Sequence, residues 1–82
     1  MNRAEYRQLN EAFLNGELIL GIKYRHNSQV SIIDEDGERV TGWIVGVDTH
    51  DSEPIYTIEI SGGDPNYEVK QSEIVLLHDP HV

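Results

Sequence analysis

The chain has 82 residues, with 15 Asp and Glu against six Lys and Arg for a formal charge of −9, and it is 38% hydrophobic and 26% charged. That balance opposes contact with nucleic-acid phosphates and with anionic membrane surfaces, so neither direct nucleic-acid binding nor membrane association is expected. There is no cysteine, so neither a disulfide framework nor a thiolate metal site can add stability, and one small core must hold residues 1–82 as a single domain.

The opening residues, MNRAEYRQLNEAF, are too polar for the apolar core of a signal peptide, and no apolar run approaches the ~20 residues that a membrane span needs. A cytoplasmic protein is therefore expected. Asn2 is a potential helix cap, with Glu5 three residues later to return the bond. Tyr6, Leu9 and Phe13, with Ala12 beside them, recur at three- and four-residue spacing and make one apolar stripe. Asn15-Gly16 supplies a stop, because Gly16 suits the left-handed conformation past a helix end. The spacing predicts a helix over about residues 2–15.

Residues 17–25, ELILGIKYR, are rich in β-branched and aromatic side chains and are interrupted by Gly21, so they read as a strand or an extended arm. His26-Asn27-Ser28 forms a polar turn. Gln29 to Asp34 follows as a strand, with Val30 and Ile32 on one face. Asp36-Gly37 then predicts a tight hairpin turn, so the next strand returns antiparallel. That strand, Arg39 to Asp48, carries Gly42 and Gly46, a pair that points to a bulge or sharp bend. After the polar turn THDSEP, Ile55 to Ile60 alternates with Tyr56, Ile58 and Ile60 on one face. Residues 61–66 form a glycine turn, Tyr67 to Lys70 a short strand, and QSEI leads into a last apolar run from Ile74 to Leu77, with residues 78–82 as a tail.

Five short strands, tight turns and interior glycines point to a small, strongly bent β-barrel, and the fold class is mainly β with an N-terminal helix. Gln29-Val30, Gly42-Trp43-Ile44-Val45-Gly46-Val47, Ile55-Tyr56-Thr57-Ile58-Glu59, and Val69 followed by Ser72-Glu73-Ile74-Val75-Leu76 together resemble an SH3-like barrel of the Tudor, KOW and photosystem-accessory type. The resemblance covers about residues 28–77 and leaves the helix and arm as additions. It implies the fold and leaves the function open, because barrels of this type host many unrelated activities. The chain departs from basic KOW modules: between Asp34 and Asp79 there are twelve acidic residues and two basic ones, Arg39 and Lys70. It also supplies only Trp43, Tyr56 and Tyr67 within the matched region toward an aromatic cage of the kind that binds cations.

Residues 34–38, DEDGE, place a glycine after acidic residues as a calcium loop does, but the twelfth position would be Trp43 where a carboxylate is needed. They read as a solvated turn. Asp48, His50, Asp51 and Glu53 fall within six residues, and His78, Asp79 and His81 make a second group. Neither has the spaced second cluster of a metal site, so no metal or other cofactor is expected. Ser61-Gly62-Gly63-Asp64 lacks the lysine and the strand-to-helix context of a phosphate loop. No nucleophile elbow is present either, so no catalytic residue is expected.

The expected function is that of a non-catalytic protein-interaction module with a protein partner. Its candidate partner-binding residues are Trp43, Tyr56, Tyr67, Asp48, Asp51 and Glu53, the aromatics becoming anchors wherever they leave the core and face outward. Two other readings follow from the same residues. The acids could imitate nucleic acid in the basic groove of a nucleic-acid enzyme. Alternatively, the stripe of Tyr6, Leu9 and Phe13 could dock an accessory subunit onto a larger assembly, instead of covering one end of the barrel.

Overall fold

The computed structural model describes residues 3–50, 52–60 and 66–82. The Asn2 cap, Asp51 and the 61–65 part of the glycine turn lie outside the described residues. The elements are one helix, α1 (Arg3–Leu14), five strands, β1 (Gln29–Ile33), β2 (Arg39–Asp48), β3 (Ile55–Ile60), β4 (Tyr67–Lys70) and β5 (Val75–His78), and a single 3₁₀ turn over Gln71–Glu73. The strands form one antiparallel sheet in the order β4-β3-β2-β1-β5. Among the described residues no ladder joins β4 to β5, so the ladders join the five strands into one sheet without closing it.

The helix ends as its sequence dictates. Gly16 adopts φ +73°, its N–H donates to the Phe13 carbonyl, and the Glu17 N–H donates to the Ala12 carbonyl, both at 3.0 Å. Those two bonds are the Schellman pair, which satisfies carbonyls that a helix end leaves open. Phe13, at the end of the apolar stripe, is buried, while Tyr6 and Leu9 are half-buried. The stripe thus faces the sheet and closes the core.

Residues 17–25 do not form a strand. Ile19 and Ile22 make an isolated bridge around Gly21, whose φ of +85° turns the chain back on itself. The arm then delivers Tyr24 into the core, where its ring meets Tyr56 edge-on at 5.5 Å and its hydroxyl donates to the Ile74 carbonyl at 2.9 Å. The 26–28 turn hooks onto β2: the Asn27 N–H donates to the Ile44 carbonyl, and the Ile44 N–H donates to the Ser28 carbonyl.

The β1–β2 hairpin is one residue longer than Asp36-Gly37 alone suggests. Asp34 and Glu38 close it through a 2.8 Å main-chain bond, and the three residues between them end in Gly37 at φ +79°. This is the three-residue loop in which a turn is followed by a left-handed glycine. Asp34 Oδ1 accepts the N–H groups of Asp36 and Glu38, fixing the loop from within.

In β2 the ladder to β3 pairs Ile44 with Ile58 and then Gly46 with Thr57, leaving Val45 as the extra residue of a bulge. The bulge returns Val47, opposite Tyr56, to the side that Ile44 occupies. The core is therefore continuous on one face of the sheet and comprises Val30, Ile32, Ile44, Tyr56, Ile58, Val69 and Ile74, with Phe13 and Tyr24 packed over it.

The tail is fixed as well. Arg25 Nε lies 2.9 Å from Asp79 Oδ2, Asp79 Oδ1 accepts the His81 N–H, and the His81 ring bonds the His26 carbonyl at 2.9 Å. Residues 78–82 are thereby corrected from a free tail to a clasp on the arm. The charge of Asp79 is neutralised at a half-enclosed site, where pairing is worth more than on an open surface.

Candidate functional site

The three aromatic candidates do not converge. Ladder partners share a face, and Trp43 stands opposite Gln29 on β1 and Glu59 on β3, on the side away from the core. Its flanking residues Gly42 and Ile44 are both buried, while Trp43 itself is 37% exposed. Tyr56 is 0% exposed and belongs to the core, so it is corrected from a candidate partner residue to a structural one. Tyr67 pairs with Ile58, is half-buried, and packs against the core from the inner side. One aromatic on the outer face and two on the inner face cannot form a shared cage.

Tyr56 organises the inner side instead. Its hydroxyl accepts the N–H groups of Lys23 at 3.1 Å and Tyr24 at 3.2 Å, and it donates to Gln71 Oε1. Burial raises the pKa of this phenol above its ordinary value, against the opposing pull of the two backbone donors. The phenol of Tyr67 is raised too, first by desolvation and then by the carboxylates of Glu35, Asp34 and Asp36. The ladders set Tyr67, opposite Ile58 at the start of β4, toward the end of the sheet occupied by the β1–β2 hairpin.

The acidic candidates are divided between the two ends of the sheet. Residues 34–38 cap the β1–β2 end, whereas Asp48 and Glu53 stand at the β2–β3 end. Several of these carboxylates hold the chain's own turns. Asp48 Oδ1 accepts the His50 N–H at 2.9 Å, and Glu53 accepts both the N–H and the hydroxyl of Ser72 at 3.0 and 3.2 Å. Asp51 lies outside the described residues. Among the described residues no group of three His, Asp or Glu side chains is placed to hold a metal ion.

A cleft of about 410 Å³ opens between α1 and the end of β2, with Leu9 and Val47 at its apolar wall and Arg7, Asp48 and His50 around it. The Tyr6 hydroxyl lies 2.7 Å from Nδ1 and 2.9 Å from Nε2 of His50 and ties the helix to the loop after β2. Sequence spacing gives no sign of this contact, because the two residues are separated by 44 positions.

Compared with models of protein families, with curated proteins and with solved structures, the chain has no match. The site is therefore read from its own geometry.

Proposed function

We propose that this chain is a non-catalytic protein-interaction module that engages a protein partner through the outer face of its sheet, with Trp43 as the anchor. The observation that carries the reading is the placement of the chain's one tryptophan outside the core, between the polar side chains of Gln29 and Glu59. A large amphipathic ring fixed on a rigid strand is the kind of residue on which binding energy concentrates, and polar neighbours form the rim that such an anchor needs. Two of the serine hydroxyls are held within the fold: Ser31 accepts from Arg39, and Ser72 donates to Glu53.

The finer fold assignment is an SH3-like barrel. The strand order with β5 against β1, the β2 bulge and the 3₁₀ turn before the last strand support it. The absence of cysteine supports a reducing, cytoplasmic setting. Nucleic-acid mimicry has less support, because the two acidic groups stand at opposite ends of the sheet and Asp34, Asp48 and Glu53 hold turns.

The test is a photo-cross-linking side chain at Thr41, which is exposed beside Trp43 on the same face of β2, compared with one at Gln8 on the exposed side of α1. Position 41 should give a discrete protein adduct that excess wild-type chain suppresses and excess Trp43→Ala chain does not. Equal suppression by both competitors would remove Trp43 as the anchor.

A further inference from the structure

Of the apolar stripe on α1, only Phe13 joins the core. Leu9 and Tyr6, which precede it along the helix, are half-buried and line the cleft of about 410 Å³ between α1 and the end of β2. Val47, packed against the core from the sheet side, lines it too. The first turns of an amphipathic helix thus stand over the sheet with apolar surface left to the cleft. The contact of Tyr6 with His50, at 2.7 Å and with ring centroids 4.9 Å apart, joins the two walls and fixes their spacing. The cleft has the volume of a small-molecule site.

The groups around the apolar wall carry both signs of charge, with Arg7 on the helix side and Asp48 on the sheet side. Among the described residues the ion pairs are Arg25 with Asp79 and, when His50 is protonated, Asp48 with His50, so Arg7 and Asp48 face one cleft without meeting. Glu11, one turn along α1 from Arg7, does not line the cleft and makes no ion pair with Arg7. Asp48 holds the His50 N–H with Oδ1, which leaves Oδ2. The Thr49 hydroxyl, enclosed in the wall, has no partner among the described residues. These features select a ligand. A lone anion would reach Arg7 against the field of a chain of charge −9, and a lone cation would satisfy Asp48 and leave Arg7. A molecule that carries both charges satisfies both at once, and an apolar side chain on it fills the space between Leu9 and Val47. We propose that the cleft binds a free α-amino acid with an apolar side chain, its carboxylate at Arg7 and its ammonium at Asp48. The site does not include Trp43 and does not rest on the anchor reading.

Titration of the full isotope-labelled chain with L-leucine, followed by the NMR shifts of its backbone amides, tests the proposal. Leucine should give saturable shifts confined to the cleft, with Leu9, Val47 and His50 among them. Leucinamide, which lacks the carboxylate, and isocaproate, which lacks the ammonium, should each bind about fivefold more weakly, the loss of one charge pair near the surface. Serine, which lacks the apolar side chain, should give no saturable shift. Arg7→Gln should weaken leucine to the level of leucinamide. Asp48→Asn, which keeps an oxygen for the His50 N–H, should weaken it to the level of isocaproate. Absence of saturable cleft shifts with leucine would overturn the proposal, as would shifts centred elsewhere, an analogue that binds as tightly as leucine, or a charge variant that binds leucine as the wild type does. The analogue series uses the wild-type chain and decides the question even where a variant loses its folded circular dichroism.

Discussion

The two glycines of β2 are alike in sequence and opposite in packing, and substituting each by alanine separates their roles. A Cβ on Gly42 would stand 2.6 Å from Ile58 Cγ2, 2.8 Å from the Glu59 carbonyl oxygen and 3.2 Å from Ile60 Cγ2. The Glu59 oxygen belongs to the ladder and cannot withdraw without breaking β2 from β3, and Ile58 is fully buried. Inserting a methyl group into such a site costs about 1–3 kcal/mol. A Cβ on Gly46 would meet Thr57 at 3.5 Å, an ordinary contact, with no positive φ to strain it. There the loss of glycine's freedom in the unfolded chain stabilises the fold by about 0.4–1 kcal/mol. For a domain of this size 1 kcal/mol moves the melting temperature by about 4–8 °C. Gly42→Ala should therefore lower Tm by roughly 4–24 °C, whereas Gly46→Ala should raise it by a few degrees. Thermal and urea unfolding followed by circular dichroism reads both. Equal Tm values for Gly42→Ala and wild type, or a Gly46→Ala variant less stable than Gly42→Ala, would refute the assigned register.

Three other outcomes follow from the core and the outer face. Tyr56→Phe removes the acceptor of the buried Tyr24 N–H and should cost about 1–3 kcal/mol in urea unfolding. Lys23 loses less, because its N–H also reaches Gln71 Oε1 at 2.9 Å. Because the folded-state pKa of Tyr56 is raised above the ordinary 10.0, its neutral form is favoured by folding. That contribution is fully present below pH 10 and disappears as pH rises through the folded value. The stability gap between wild type and Tyr56→Phe should accordingly narrow above about pH 10, and a gap that widens would contradict the assignment. Ser28 is fully buried and its Oγ has no partner among the described residues. Ser28→Ala should be neutral or stabilising by up to about 1 kcal/mol in the same unfolding assay, since it removes an unsatisfied hydroxyl. Ile44→Ala should destabilise by about 2–5 kcal/mol, and Trp43→Ala by much less, since only the former opens a cavity in the core.

The strands were legible because each announces itself locally. Alternation in Ile55 to Ile60, the Gly37 turn and the QSE step before the last strand survive in the fold, and Gly16 ends the helix where its freedom is needed. The β2 bulge was legible as a glycine pair, although only contact geometry separates Gly46, which lies at the bulge, from Gly42, which allows β3 to approach closely. What escaped the sequence is long-range. The arm has the composition of a strand, yet Gly21 turns it and Tyr24 enters the core instead. The tail has the composition of a loose end, yet Arg25 and the His26 carbonyl hold Asp79 and His81 across more than 50 positions. The orientation of Trp43 depends on register, which a pattern with glycines on both sides of the tryptophan leaves undetermined.

The central claim is that partner binding runs through Trp43, and the cross-linking competition from Thr41, with Trp43 intact in the probe chain, tests it most directly. The account predicts one discrete adduct, lost to excess wild-type chain and retained against excess Trp43→Ala chain that is folded by circular dichroism. An adduct lost equally to both chains, or formed equally well from Gln8, would contradict it.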